Sequence, residues 1–155
     1  MKRLTLVLAA SWLSVAVLAH GGAAYRDSVK GFQSASGEGD GLSLLLNAEG
    51  DLPGQFKLSL RRDGDKVIGG SWTLTVLPPD ADALANEKGR LTGGASGGAL
   101  TFNGDGSLAA ADSVLLTIRE GSGHYSRVRD GGATLNLSLS AENPSQLAGT
   151  LVLNF

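Results

Sequence analysis

The sequence predicts an all-β protein in which an antiparallel meander of about eight strands closes into a barrel. Two observations lead to this fold class. Apolar residues recur at every second position in a series of short segments, with Ser, Thr, Asn, Lys and Arg between them, and this period indicates strands that bury one face. Turn sequences rich in Gly, Asp and Asn separate the segments, so consecutive strands are expected to pair as hairpins. The alternative arrangement is a two-sheet β-sandwich.

The alternating segments begin at residue 42 and continue to the last residue. In two of them a glycine takes one of the positions on the apolar face. In chain order they are Leu42/Leu44/Leu46, Phe56/Leu58/Leu60, Ile68/Gly70/Trp72/Leu74/Val76, Leu100/Phe102, Val114/Leu116/Ile118, Leu135/Leu137/Leu139 and Leu147/Gly149/Leu151/Leu153/Phe155.

Tight turns are predicted at four places. Residues 62–65 and 103–106 contain Asp-Gly and Asn-Gly pairs, which supply the positive φ angles that hairpins need. Residues 120–123 and 142–145 are predicted to be further turns. The longest irregular stretch, residues 78–88, is expected to be a surface crossover loop with a helical turn at 80–85; a lid over the barrel mouth is the alternative.

The N-terminus has the three-part pattern of a secretory signal peptide. Lys2 and Arg3 precede an apolar run that ends at Leu18 and Ala19, and the run is short for a bilayer span. We therefore predict a signal peptide at 1–19, a flexible lead-in segment at 20–40 and a single barrel domain at 41–155. Cleavage after Ala24 is the alternative. The mature protein is expected in the periplasm or outside the cell.

Composition excludes several function classes. Without Lys2 and Arg3, the 13 basic residues fall to 11 against 15 acidic ones, a net charge of −4. No basic block is present to neutralise phosphates, so nucleic acid is not an expected partner, and an anionic membrane surface is an unfavourable one. The chain has no cysteine, which rules out disulfides and thiolate chemistry. We expect no cofactor, and the sequence gives no oligomeric state.

Residues 94–98, Gly-Ala-Ser-Gly-Gly, match the G-x-S-x-G pattern of a hydrolase nucleophile elbow. That motif works on a strand-to-helix turn of an α/β sheet, whereas here it lies between predicted strands. With 23 glycines in the chain, such a match arises easily. We predict a flexible loop or a bulged hairpin, and no catalytic residue.

The two histidines, His20 and His124, offer one metal hypothesis. Cleavage after Ala19 would make His20 the mature N-terminus, and a terminal amine with two imidazoles is the ligand set of a copper histidine brace. Nothing in the sequence brings His20 near His124, so no metal site is predicted.

The end of the chain permits a membrane alternative. Leu151, Leu153 and the terminal Phe155 alternate as in the closing strand of small outer-membrane barrels. Those barrels carry aromatic girdles, and aromatic residues make up only 5% of this chain. A soluble barrel is therefore preferred.

Residues 118–131 carry the one family resemblance. Gly121, Ser122, Gly123, Tyr125, Val128 and Gly131 resemble the glycine-rich hairpin of the allene oxide cyclase and dirigent barrels, with the last glycine one residue late. The resemblance implies a barrel, but the family's catalytic residues have no counterparts here. Tyr125 and Val128 are three apart, so both can face inward only if a bulge or turn separates them. Tyr125 is then the packed residue, and His124 faces solvent or a strand edge.

The predicted function is a non-catalytic extracytoplasmic barrel module that binds a small hydrophobic ligand. A small barrel either fills its interior with side chains or holds one such ligand. The predicted lining residues, which would otherwise be plain core, are Phe56, Trp72, Phe102 and Tyr125. The enzymatic alternative is an isomerase or cyclase acting on an apolar substrate, with Tyr125 or Glu120 as polar groups.

Overall fold

Eight antiparallel strands form a closed barrel. The computed structural model describes residues 22–34, 41–78, 87–103, 108–140, 143 and 145–155. The strands are β1 (Ala24–Ser34), β2 (Gly41–Gly50), β3 (Gly54–Asp63), β4 (Lys66–Val76), β5 (Gly89–Phe102), β6 (Leu108–Gly123), β7 (Gly131–Leu139) and β8 (Gln146–Asn154). Each pairs with the next, and β1 pairs with β8. The predicted all-β barrel of about eight strands is confirmed.

The apolar face of every strand points into the barrel. Leucines dominate the buried cluster, and its members are exposed by 6% or less. Outward positions on the same strands carry side chains such as Lys57 and Ser59 on β3, and Asn136 and Ser138 on β7, all of them exposed. In the part of the chain that the structure describes, no helix is long and apolar enough to cross a bilayer.

The barrel begins earlier than the sequence predicted. Strand β1, Ala24–Ser34, lies within the segment 20–40 that was predicted to be a flexible lead-in, and it pairs with β2 on one side and β8 on the other. Its inward positions include Asp27 and Gly31 beside Val29, so the apolar alternation that marks the other strands is weak here. The predicted signal peptide, residues 1–19, lies outside the described residues.

Strands β5 and β6 are longer than their patterns suggested. Residues 94–98 belong to β5, where the register against β6 shifts at three nearby places; the prediction of a flexible loop is wrong, although the backbone is bulged. Residues 120–123 belong to the end of β6, and the turn follows them at 124–127. In both places the glycines belong to a strand and not to a turn.

Strand β4 contains a bulge opposite Arg61 and Arg62, where Arg61 pairs with Gly69 and Arg62 with Val67. The extra residue is Ile68, whose side chain is 60% exposed, while Val67 is buried. The predicted alternation from Trp72 back to Ile68 is therefore wrong, because a bulge reverses the facing of residues beyond it.

Two of the predicted turns are confirmed. Residues 64–65 form the β3–β4 hairpin, with Gly64 at a φ of 58°. At the β7–β8 connection, the Asn143 side chain accepts a hydrogen bond from the Ser145 backbone at 3.0 Å. The predicted helical turn at 80–85 and the centre of the turn at 103–106 lie outside the described residues.

Candidate ligand site at one end of the barrel

One end of the barrel gathers the features that concern function; we call it the Tyr125 end. The antiparallel order brings the start of β1 and the end of β8 to this end, together with the connections 51–53 and 124–130. The glycine-rich motif singled out in the sequence is thus placed beside the first and last strands.

Three aromatic rings cover the core at this end. Tyr25 stacks on Phe155 with 4.7 Å between ring centroids, and Tyr125 meets Phe155 edge-on at 6.3 Å. All three rings are half-buried and pack against the core cluster, as does Val128. Both arrangements are favourable for aromatic pairs. We call Tyr25, Tyr125 and Phe155 the aromatic cap.

The turn after β6 sets the position of Tyr125. Its backbone folds back so closely on Gly121 that a Cβ there would approach the Tyr125 backbone oxygen within 2.1 Å. The Val128 N–H donates to the Tyr125 carbonyl at 2.9 Å. This turn lets Tyr125 and Val128 both face the core, as the sequence predicted, and it leaves His124 exposed.

A buried carboxyl group lies on the inward face of β1. Asp27 has no exposed surface. Its Oδ1 accepts a hydrogen bond from the Leu52 backbone N–H at 2.8 Å, while its Oδ2 is buried without a partner. A buried polar atom that lacks a partner is rare in folded proteins and commonly marks strain or function.

The electrostatics of Asp27 and Tyr125 favour their neutral forms. Burial raises the pKa of the Asp27 carboxyl; the hydrogen bond from Leu52 opposes this, and the charge of Asp51 adds to it. Burial also raises the pKa of the Tyr125 hydroxyl, with smaller contributions from Tyr25 and Asp27. Asp27 follows Tyr25 by two positions on the same inward face of β1, so the carboxyl group lies next to the aromatic cap.

The other predicted lining residues lie elsewhere. Phe56 and Trp72 are buried in the barrel interior and stack at 5.6 Å between centroids. The Trp72 indole N–H donates to the Thr117 carbonyl at 3.1 Å. Phe102 is in β5, but its side chain lies outside the described residues. The structure thus places Tyr125 at the end of the barrel and Phe56 and Trp72 in its core.

Sequence reasoning missed Asp27, Tyr25 and Phe155 as members of the site. Phe155 was noted as a strand residue, and its alternation with Leu153 did place it on the inward face. Tyr25 and Asp27 also alternate with Val29. The available signal is an acidic residue, Asp27, on an otherwise apolar face. It is recognisable only when residues 24–34 are identified as a strand.

The aromatic cap offers half-buried apolar rings, and the buried Asp27 carboxyl group offers one hydrogen bond or proton. A neutral Asp27 carboxyl can donate through its second oxygen, and an ionised one can accept from a cation or an N–H group. Among the described residues, no group of three or more His, Asp or Glu side chains could hold a metal ion. His20, the suggested copper partner of His124, lies outside them.

Comparisons with known proteins add nothing to the geometry: no protein-family model, no curated protein and no solved structure matches this chain.

Proposed function

We propose that this protein is an extracytoplasmic β-barrel module without catalytic activity, which binds a small apolar ligand at the Tyr125 end. The observation that supports the proposal is the aromatic cap with the unpartnered Oδ2 of Asp27 next to Tyr25 on the inward face of β1. Ligand sites typically combine an apolar lining with a few well-placed polar groups. The ligand is therefore an apolar ring compound that carries one hydrogen-bonding group.

Packing of the interior supports the end of the barrel as the site. Phe56, Trp72 and the surrounding leucines are almost inaccessible to solvent, and protein cores of this kind are densely filled. The cap residues are only half-buried, so a ligand can stack against them with little disturbance of the core.

The facing of the sheet supports a soluble barrel over the outer-membrane alternative. Outer-membrane barrels turn their apolar band outward and keep a polar lumen, whereas here the apolar side chains point inward. The extracytoplasmic location rests on the predicted signal peptide. Cell fractionation tests both points, and a chain that is released only by detergent would contradict the soluble barrel.

The geometry favours binding over the isomerase alternative. Glu120, one of the two polar groups suggested for catalysis, is exposed and pairs with Thr92, whereas Tyr125 packs against the core. The resemblance to allene oxide cyclase barrels contributes only the kind of fold.

Titration with N-phenyl-1-naphthylamine tests the proposal, because this uncharged probe fluoresces strongly in apolar surroundings. We expect saturable binding to the mature protein and roughly 10-fold weaker binding to Phe155→Ala, since a stacked aromatic partner and its buried area are lost. Near-ultraviolet circular dichroism confirms that the variant is folded.

Phe32→Ala is the matched control, because Phe32 is a phenylalanine on the outer face that is 53% exposed. Its probe affinity should equal that of the wild type. Equal affinity in Phe155→Ala and wild type, or a loss confined to Phe32→Ala, would contradict a site at the cap. Native mass spectrometry of protein purified from its own periplasm then identifies the retained molecule.

A further inference from the structure

A cleft on the outer face of the barrel lies between β3 and β4, next to the bulge of β4. Its volume is ≈ 280 Å³, and it is lined by Ser59, Leu60, Arg61, Gly70 and Ser71. Ser59, Arg61 and Ser71 are exposed on the outer face of the sheet, so the cleft opens on that face and is separate from the aromatic cap.

Two arginines reach the same part of β4 from opposite sides. The Arg61 guanidinium comes from β3 and lies over Gly69, where a Cβ would be 2.9 Å from its terminal nitrogen. The Arg119 guanidinium comes from β6 and lies over Gly94 of β5, where a Cβ would be 2.8 Å from its terminal nitrogen and 3.4 Å from the Gly70 carbonyl oxygen. The absence of side chains on Gly69 and Gly94 permits this approach.

Both arginines are placed by irregularities of the sheet. The register of β3 against β4 shifts at Arg61/Arg62, and the register of β5 against β6 skips Arg119. Bulges of this kind redirect side chains and are frequent beside functional sites. Two independent bulges thus direct two cations toward one segment of β4.

No carboxylate from the described part of the chain neutralises the pair. Within the described residues, neither Arg61 nor Arg119 has an ion pair or a hydrogen bond, and the polar side chains that line the cleft are two serines and one arginine. Guanidinium groups bind phosphate and sulfate through paired hydrogen bonds, and Ser hydroxyls donate to the same oxygens. The chain as a whole carries a net negative charge, so the attraction for anions is confined to the surroundings of the two arginines.

We infer that the cleft between β3 and β4 binds a tetrahedral oxyanion, either free phosphate or sulfate or the terminal phosphate or sulfate of an ester. Arg61 and Arg119 supply the charge, and Ser59 and Ser71 supply hydrogen bonds. This site is a second one, independent of the ligand proposed for the Tyr125 end.

Amide NMR spectra of the mature protein, titrated with sodium phosphate against sodium chloride of equal ionic strength, test the inference. We expect saturable shifts of the Ser59, Gly70, Ser71 and Gly94 amides with phosphate alone. Arg61→Gln and Arg119→Gln should each weaken phosphate binding roughly 10-fold, as the loss of a charge-assisted contact does. Gly94→Ala should also weaken it, because the new Cβ displaces the Arg119 guanidinium.

Lys30→Gln is the matched control, since it removes an exposed cation from β1 and should leave phosphate affinity unchanged. Shifts that follow chloride equally, or a control that weakens binding as much as the arginine variants, would overturn the inference. Sulfate and glycerol phosphate are titrated in parallel: tighter binding of glycerol phosphate than of the free ions assigns the site to an ester, and equal binding assigns it to the free ion.

Discussion

The backbone N–H of Leu52 donates a hydrogen bond of 2.8 Å to the carboxyl group of Asp27 in β1. The bond holds the turn between β2 and β3 against the first strand. A second contact runs beside it, in which the Arg26 N–H donates to the Asp51 carboxylate at 2.8 Å. The Oδ2 of Asp27 remains buried without a partner, so this aspartate is a structural anchor and also an unsatisfied group.

Asp27→Asn should change how stability depends on pH. Because the folded-state pKa of Asp27 is raised, the wild type holds its full stability while this carboxyl is protonated, below the unfolded pKa. It loses part of that stability as pH rises through the folded value. Asparagine keeps an acceptor for Leu52 and does not ionise. We therefore expect the stability of Asp27→Asn relative to wild type to increase between acidic and neutral pH, measured by urea unfolding.

A further variant tests the structural role of the Asp27 carboxyl group. Asp27→Ala leaves the Leu52 N–H without its acceptor, at a cost of about 1–3 kcal/mol. A relative stability of Asp27→Asn that stays constant or falls as pH rises would mean that the folded protein does not penalise ionisation of Asp27.

Gly93→Ala should destabilise the barrel by disturbing Trp72. The Trp72 indole crosses β5 at Gly93 to reach the Thr117 carbonyl, and a Cβ at Gly93 would lie 2.7 Å from the indole nitrogen and 1.7 Å from the carbonyl oxygen. Overpacking of this kind costs about 1–3 kcal/mol. The free energy of unfolding in guanidinium chloride measures the loss.

Gly132→Ala provides the comparison for Gly93→Ala. A Cβ at Gly132, in β7, would have no atom within 4 Å, so its effect should range from neutral to about 1 kcal/mol of stabilisation. Equal losses in the two variants would indicate a general intolerance of side chains in the glycine-rich strands, with no special role for the path of Trp72.

Tyr125 should ionise only at unusually alkaline pH. The chain has two tyrosines, so Tyr25→Phe leaves Tyr125 as the sole absorbing phenol. Burial raises the pKa of Tyr125, and this contribution persists in the variant although that of Tyr25 is removed. The absorbance of tyrosinate should therefore appear at higher pH in the folded protein than in the same variant unfolded by urea. Coincident titration curves would show that Tyr125 is freely hydrated.

The same shift affects alkaline stability. Since the neutral phenol is favoured in the folded state, stability is complete below the unfolded pKa and is lost as pH rises through the folded one. Tyr125→Phe cannot ionise, so its free energy of unfolding should fall less than that of wild type over this alkaline range.

The barrel itself could be predicted because alternation is a repeated signal that survives local exceptions. The first strand was missed because Asp27 and Gly31 occupy inward positions that elsewhere carry leucine. The buried state of Asp27 depends on the turn at Leu52, which is distant in sequence. Likewise, Arg61 and Arg119 are 58 positions apart in the chain, and only the strand order and two bulges bring them to the same segment of β4.

Position 68 shows most directly why a bulge defeats a period-two prediction. Val67 is buried and Ile68 is 60% exposed, although alternation from Trp72 predicts the reverse. Val67→Thr should therefore lower the free energy of unfolding by about 1–3 kcal/mol, because it buries a hydroxyl, whereas Ile68→Thr should stay within about 0.5 kcal/mol of wild type. Urea unfolding of the two variants compares them under one condition. The opposite order of stabilities would indicate that Ile68 is the buried residue. It would then contradict the bulge that places Arg61 beside Gly69.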